Sequence, residues 1–262
     1  MGKITRALQK ATQESLVHID KIIKSKECEQ IIVHKLKTSK LDARLVAYFD
    51  PKAVISEQYK ILTTNILSLN KGRPPKTIAI TSSIAAEGKT VSALNLALTL
   101  SHATHKPRIV LIDADLRRGQ LLNYLGSTAR PGLSEFLQGK ASLEEILFSL
   151  DDIDHLSFIA SGAVPVNPVE LLSSAPMREL IVTLRDKYNF VLIDTPPVIP
   201  VTDAVIIGSN VEGVLLVIKA GDTQQGMVTR AIELLAQAHS NIIGHVLTGV
   251  EYFIPEYIYR YL

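Results

Sequence analysis

The stretch Thr81-Ser82-Ser83-Ile84-Ala85-Ala86-Glu87-Gly88-Lys89-Thr90 ends in the Gly-Lys-Thr of a phosphate-binding loop. In the pattern G-x-x-x-x-G-K-[ST], main-chain N–H groups wrap phosphates, the lysine reaches the terminal phosphates and the hydroxyl holds Mg²⁺. Gly88, Lys89 and Thr90 fit, while Ser83 stands where the first glycine belongs. The flanks supply the context the pattern needs. Thr77-Ile78-Ala79-Ile80 is a short apolar, β-branched run that reads as a buried strand, behind the breaker-rich segment 70–76. Val91, Leu94, Ala97, Leu98 and Leu100 then recur at helical spacing, so a helix N-terminus would point its free N–H groups at the phosphates.

Working outward, apolar strand candidates Arg108–Ile112, Phe190–Ile193, Val214–Ile218 and His245–Val250 alternate with helical segments. The helices are expected over Glu170–Tyr188, interrupted near Pro176, and over Thr223–Ala238. Such alternation predicts a P-loop NTPase-type α/β fold, a mainly parallel sheet with helices on both faces. Ligands of such sheets collect at the carboxyl ends of the strands. Upstream, Leu41–Asn70 reads as an extended piece ending at Asp50-Pro51, followed by a helix capped by Ser56 and carrying Glu57, Tyr59, Lys60 and Asn65.

Two further strands run into acids. Ile109-Val110-Leu111-Ile112 meets Asp113-Ala114-Asp115, then Leu116-Arg117-Arg118, and Phe190-Val191-Leu192-Ile193 meets Asp194-Thr195-Pro196-Pro197. A carboxylate at the tip of a buried strand is costly unless a cation or donors meet it. Each alone is the common strand-end turn or helix cap. Three at two strand ends beside a phosphate loop point instead to a metal–nucleotide site. Asp194 is expected in the metal shell, and Asp113 and Asp115 in the metal shell and in activation of a nucleophile.

Composition bounds the function classes. The chain has 262 residues, 47% hydrophobic, which suits one large α/β domain with a small appendage. Its lone Cys28 permits no internal disulfide and has no metal-ligand spacing, as expected of a reducing compartment. No run of apolar residues is long enough to span a membrane and no signal-peptide core is present, so a cytoplasmic location is expected. Residues 1–46 hold 10 Lys/Arg against 5 Asp/Glu. This basic, partly amphipathic segment would either dock on a partner or an anionic membrane face, or lie as a solvated helix. Nucleic-acid binding is not expected, because no basic run is interleaved with aromatics. The expected organisation is residues 1–46 as that segment, 47–250 as the phosphate-loop domain, and 251–262 as a tyrosine-rich tail. Tyr252, Tyr257, Tyr259 and Tyr261 make up half of the eight tyrosines. Three of them alternate with period two, so the tail reads either as a phosphoacceptor segment able to enter a neighbour's site or as one face of a docked strand.

TSSIAAEGKT, IVLIDADLRR and FVLIDTPP together resemble the Walker A, Walker A′ and Walker B motifs of the bacterial tyrosine kinases of capsule and exopolysaccharide systems. The resemblance extends to Arg130-Pro131-Gly132-Leu133-Ser134, Gly139-Lys140, Asn167-Pro168-Val169-Glu170-Leu171-Leu172 and Val201-Thr202-Asp203-Ala204, and covers about residues 41–262. It implies an ATP- and Mg²⁺-dependent kinase domain that phosphorylates its own tail tyrosines in trans. Ser83, Ala86, Glu87, Gly88, Lys89, Thr90 and Val91 would then line the nucleotide. Lys89 would contact the β- and γ-phosphates, Thr90, Asp113 and Asp194 would serve the metal, and Asp113 and Asp115 would assist deprotonation of tyrosine. The resemblance further implies a separate transmembrane chain-length determinant as activator, a phosphotyrosine phosphatase, recruitment to the inner face of the plasma membrane, and self-association through the helix containing Glu57.

Three departures stand out against the family pattern. Ala85-Ala86 replace its usual Pro-Gly, so a left-handed backbone at residue 86 would strain an alanine. Glu57-x-x-Lys60-x-x-Thr63 replaces its Glu-x-x-Arg-x-x-Arg, losing the planar guanidinium forks. Thr248 falls where an asparagine commonly lies near the adenine. Two other readings follow from the same residues. One is a MinD/ParA-like ATPase switch, against which Ile84 occupies the place of that group's signature lysine; the other is a nucleotide-binding scaffold with little turnover.

Overall fold

The computed structural model describes residues 34–36, 40–72, 74–103, 106–128, 130–151 and 153–250. Most of the basic N-terminal segment, Cys28, and the tail with Tyr252, Tyr257, Tyr259 and Tyr261 lie outside the described residues. The elements run β1 (His34–Leu36), α1 (Val46–Phe49), α2 (Val54–Gly72), β2 (Thr77–Ser82), α3 (Lys89–Ser101), β3 (Ile109–Asp113), α4 (Leu121–Tyr124), α5 (Leu133–Leu137) and α6 (Leu143–Ile146). They continue with β4 (Leu147–Leu150), β5 (Ile153–Ile159), α7 (Pro168–Ser173), α8 (Ala175–Lys187), β6 (Phe190–Asp194), α9 (Asp203–Gly208), β7 (Gly213–Lys219), α10 (Gln225–Gln237) and β8 (Ile242–Thr248).

The strands form one eight-stranded sheet in the order β1-β4-β5-β3-β6-β2-β7-β8. Every neighbouring pair is parallel except β4 with β5. The central strands β2, β3 and β6 are buried along their whole length, which explains their unbroken Ile, Val and Leu runs. Alternation sorts these residues onto two faces. Ile78, Ile80, Ile109, Leu111, Phe190, Leu192, Leu215 and Val217 share one cluster with Leu94, Leu96, Leu98 and Leu100 of α3. Ala79, Val110, Ile112, Val191, Ile193, Val214 and Leu216 are as deeply buried but point the other way, toward the side where α8 packs on β6 and α9 on β2. Helices therefore cover both faces, as the alternating pattern predicts.

Several local expectations need correction. Leu41–Asp50 is not simply extended: it contains α1, which packs on α3. Ser56 does not cap α2, because the helix begins two residues earlier, and the Ser56 hydroxyl donates back to the Asp50 carbonyl at 2.6 Å. The last strand starts at Ile242 rather than His245 and ends at Thr248. The break in the Glu170–Tyr188 segment falls at Ser174, with Pro176 in the first turn of α8, where its missing N–H costs nothing. The antiparallel pair β4–β5 was not foreseen, since Leu143, Ile146, Leu147 and Leu150 recur at helical spacing although only the first half of that run is helical. Across this pair Phe148 and Phe158 stack with centroids 5.5 Å apart.

Asn95 fastens α1 to α3. It is fully buried; its side-chain oxygen accepts the Ala47 N–H at 2.9 Å and its amide donates to the Arg44 and Val91 carbonyls. Asn95→Leu keeps the volume but strands the buried Ala47 N–H. Urea denaturation of this variant is expected to show a loss of about 2–3 kcal/mol.

Candidate active site

In the sheet order, β6 lies between β2 and β3, so the loop after β2 and the acids ending β6 and β3 emerge side by side. Asp113 and Asp194 are direct register partners. Asp113, Asp115 and Asp194 are at most 6% exposed. Facing them at the N-terminus of α3, the Lys89 ammonium lies 3.3 Å from Asp115 Oδ2 and 3.9 Å from Asp194 Oδ1. The Thr90 hydroxyl donates to Asp194 Oδ2 at 2.6 Å. One lysine thus faces three carboxylates, an excess of negative charge that calls for another cation.

The protonation equilibria follow from this crowding. Burial, reinforced by the neighbouring Asp194 charge, pushes Asp113 up to about 7. Burial likewise pushes Asp194 up to about 6, against the lowering pull of Lys89 and the Thr90 hydrogen bond. Burial disfavours the charge on Lys89, but Asp194, Asp115 and Asp113 outweigh it and raise its affinity for the proton.

The lone pairs differ in their commitments. Asp113 Oδ1 accepts the Asp115 N–H and Oδ2 the Leu121 N–H, both at 3.1 Å, so Asp113 shapes the turn that carries Asp115. Asp194 Oδ1 is buried without a hydrogen-bond partner. A carboxylate oxygen that accepts no hydrogen bond, beside a threonine hydroxyl, suits Mg²⁺, which takes one or two protein oxygens and keeps phosphates and waters for the rest. Among the described residues no group of three or more His, Cys, Asp or Glu forms an all-protein metal cage.

Ser83 is buried and keeps an ordinary negative φ, which is why a serine can replace the pattern's first glycine. The left-handed positions are Ala86, φ 66°, and Gly88, φ 89°. The strain expected at Ala86 is therefore present. Ala85 and Ala86 are exposed on the loop, and Val91 is half-buried in the first turn of α3. The Glu87 side chain turns back to accept the Ile84 N–H at 2.7 Å. Thr248 donates its hydroxyl to the Glu87 carbonyl at 2.7 Å, so it is engaged by the phosphate loop. On α2, Lys60 pairs with Glu57 at 2.6 Å, whereas Thr63 is buried and presents nothing outward.

An unforeseen partnership joins Arg117 to Asp203. Asp203 is fully buried, and the Arg117 Nε and a terminal nitrogen donate to its two oxygens at 2.9 and 3.2 Å. The pair ties the segment after Asp115 to the start of α9. The available signal was an aspartate inside the apolar run Val201–Ile207, with arginines directly after the Walker A′ acids.

Two outcomes follow. Ala86→Gly exchanges a left-handed strain of about 1–2 kcal/mol for a smaller gain in unfolded-chain freedom. Thermal denaturation is expected to show the glycine variant about 0.5–1 kcal/mol more stable without nucleotide. For Asp194, a pKa raised by folding means the native state binds more protons than the unfolded one between the two values. The stability contributed by this group is thus lost as pH rises toward 7. Asp194→Asn removes that loss, so in metal-free melts the variant should gain on the native protein progressively from about pH 4 to about pH 6 and keep the gain above it.

Comparison with known proteins agrees with this geometry. The AAA domain family matches residues 75–242. Tyrosine-protein kinase YwqD of Bacillus subtilis is 36% identical over 217 residues, covering 83% of this chain and 90% of its own. Tyrosine-protein kinase CpsD of Streptococcus agalactiae is 34% identical over 202 residues, covering 77% of this chain and 86% of its own. The solved kinase domain of Escherichia coli tyrosine kinase ETK superposes with a TM-score of 0.75 at 31% identity, over 87% of this chain and 86% of that one. With these identities and coverages, the chain belongs to the bacterial tyrosine-kinase family.

Proposed function

We propose that this chain is an ATP-dependent protein-tyrosine kinase that phosphorylates Tyr252, Tyr257, Tyr259 and Tyr261 of a neighbouring copy. The observation that carries the reading is the convergence of Lys89 and Thr90 on Asp115 and Asp194, with one Asp194 oxygen left over. ATP phosphates lie along the loop 83–88 and the N-terminus of α3, where N–H groups and helix dipole favour anions. Thr90 and Asp194 would hold Mg²⁺, with Asp113 adding its charge from behind. When bound, that ion neutralises charge building on the transferred and leaving phosphoryl oxygens.

Lys89 is the movable element. In the nucleotide-free arrangement it neutralises Asp115; drawn to the β- and γ-phosphates, it leaves Asp115 free to accept a proton. The tyrosine oxygen then attacks the γ-phosphorus as its proton passes to Asp115. The bond to the β,γ-bridging oxygen breaks, and ADP leaves with that electron pair. Arg117, fixed by Asp203, keeps the turn bearing Asp115 from drifting.

Through this activity the chain would tune capsule or exopolysaccharide polymerisation and export, with a separate transmembrane protein as activator and a phosphotyrosine phosphatase resetting the tail. Residues 1–46 are the candidate for the activator contact and for recruitment to the inner membrane face. Among the described residues no helix is long and apolar enough to cross a membrane. The strained Ala86 supports the second reading, a nucleotide-binding scaffold of low turnover, and the two are separable. Mass spectrometry after incubation with Mg-ATP and the cognate activator should show phosphate on tail tyrosines, reduced at least about a hundredfold by Lys89→Met. An unmodified native tail that nonetheless binds ATP would establish the scaffold.

A further inference from the structure

Glu87 is a carboxylate inside the phosphate loop, 2% exposed. It has no ion-pair partner among the described residues. Its neighbour Gly88 lies against Thr248, and Lys89 beyond it faces Asp115 and Asp194. Compensation for the Glu87 charge comes from three donors on two oxygens. Oε2 takes the Ile84 N–H at 2.7 Å. Oε1 takes the Lys219 N–H at 3.3 Å together with the Thr223 hydroxyl. The same residue's carbonyl accepts the Thr248 hydroxyl at 2.7 Å, and the Thr248 carbonyl accepts the Ala220 N–H at 2.8 Å. The loop between β2 and α3 is thus fastened to the turn after β7 and to the end of β8.

That turn lies on the opposite side of β2 from the acids. The order β3-β6-β2-β7-β8 puts Asp113, Asp115 and Asp194 on one flank and Lys219–Thr223 and Thr248 on the other. On the nucleotide reading, with the terminal phosphate at Asp115, the flank left for the ribose and base is that of β7 and β8. We infer that Glu87 is a positioning residue that couples this base-side turn to the phosphate loop, so that each holds the other in its nucleotide-binding form. Only a carboxylate suits the position. Glutamine offers one acceptor oxygen, and its amide would face a donor on either the Ile84 side or the Lys219–Thr223 side. The inference rests on the nucleotide-site reading above, but not on turnover.

Thr223 makes the test clean, because it stands outside the phosphate loop. Binding of Mg-ATP and of inorganic tripolyphosphate, which has no base, is measured by calorimetry for the full chain and for Glu87→Gln, Thr223→Val and Thr223→Ser, alongside ligand-free melts. Loss of one hydrogen bond to a charged group should raise the Kd of both ligands about tenfold in Thr223→Val, with Thr223→Ser restored to within about twofold. In tail phosphorylation the KM for ATP should rise with kcat little changed. Glu87→Gln should show the same pattern, and should it fail to fold, Thr223→Val carries the test alone. Weakening of ATP with tripolyphosphate unaffected would overturn the coupling, as would unchanged binding of both or a loss explained by unfolding in the melts. A native chain that binds both ligands but leaves its tail unmodified would refute the kinase reading while the binding comparison still judged Glu87.

Discussion

Everything in this molecule that bears on chemistry depends on one balance, a single buried ammonium among three buried carboxylates. Lys89, Asp113, Asp115 and Asp194 come from three different strand ends, and no local stretch of chain could assemble them. Left without further positive charge the group is over-supplied with negative charge, which is why burial and mutual repulsion push Asp113 and Asp194 toward the neutral form. The site is thus short of positive charge, which a nucleotide arriving with its cation would supply on the reading proposed above. On that reading the phosphates would draw Lys89 one way and Asp194 would hold the cation.

Rigid surroundings make that balance usable. The sheet positions the acids through register, with Asp113 opposite Asp194. The Arg117–Asp203 pair then fixes the segment beyond Asp115 through two hydrogen bonds, one to each carboxylate oxygen. Asn95 in turn joins α1 to α3, so the helix that carries Lys89 at its N-terminus cannot slide along the sheet. Strain is confined to the loop itself, where Ala86 holds a conformation better suited to glycine.

Much of this was legible in the sequence because the relevant signals are short-range. A buried strand running into Gly88-Lys89-Thr90 and two apolar strands ending in aspartate are local patterns with few physical explanations, and the central parallel strands follow from their unbroken apolar runs. What escaped was set by partners distant in sequence. Leu147–Leu150 forms a strand because β5 and β1 flank it, overriding a helical spacing. Asp203 is informative only once Arg117 is known to reach it. Ser56 looked like a cap, yet the hydroxyl finds the Asp50 carbonyl from inside the helix. The second service of Glu87 depends on Lys219 and Thr223, more than a hundred residues away.

The strand order carries a kinetic consequence. The β4–β5 hairpin joins neighbours in sequence and can close early. The central pairs behind the site join Thr77 to Val191 and Ile78 to Gly213, so they must enclose most of the domain before a single contact rewards the closure. The candidate site is therefore assembled late, and on the ribosome β2 and α3 emerge well before β6 and β7 exist to complete it. Until then Asp194 is missing from the acids around Lys89, and the interval offers an exposed, apolar half-sheet to whatever chaperone attends the nascent chain.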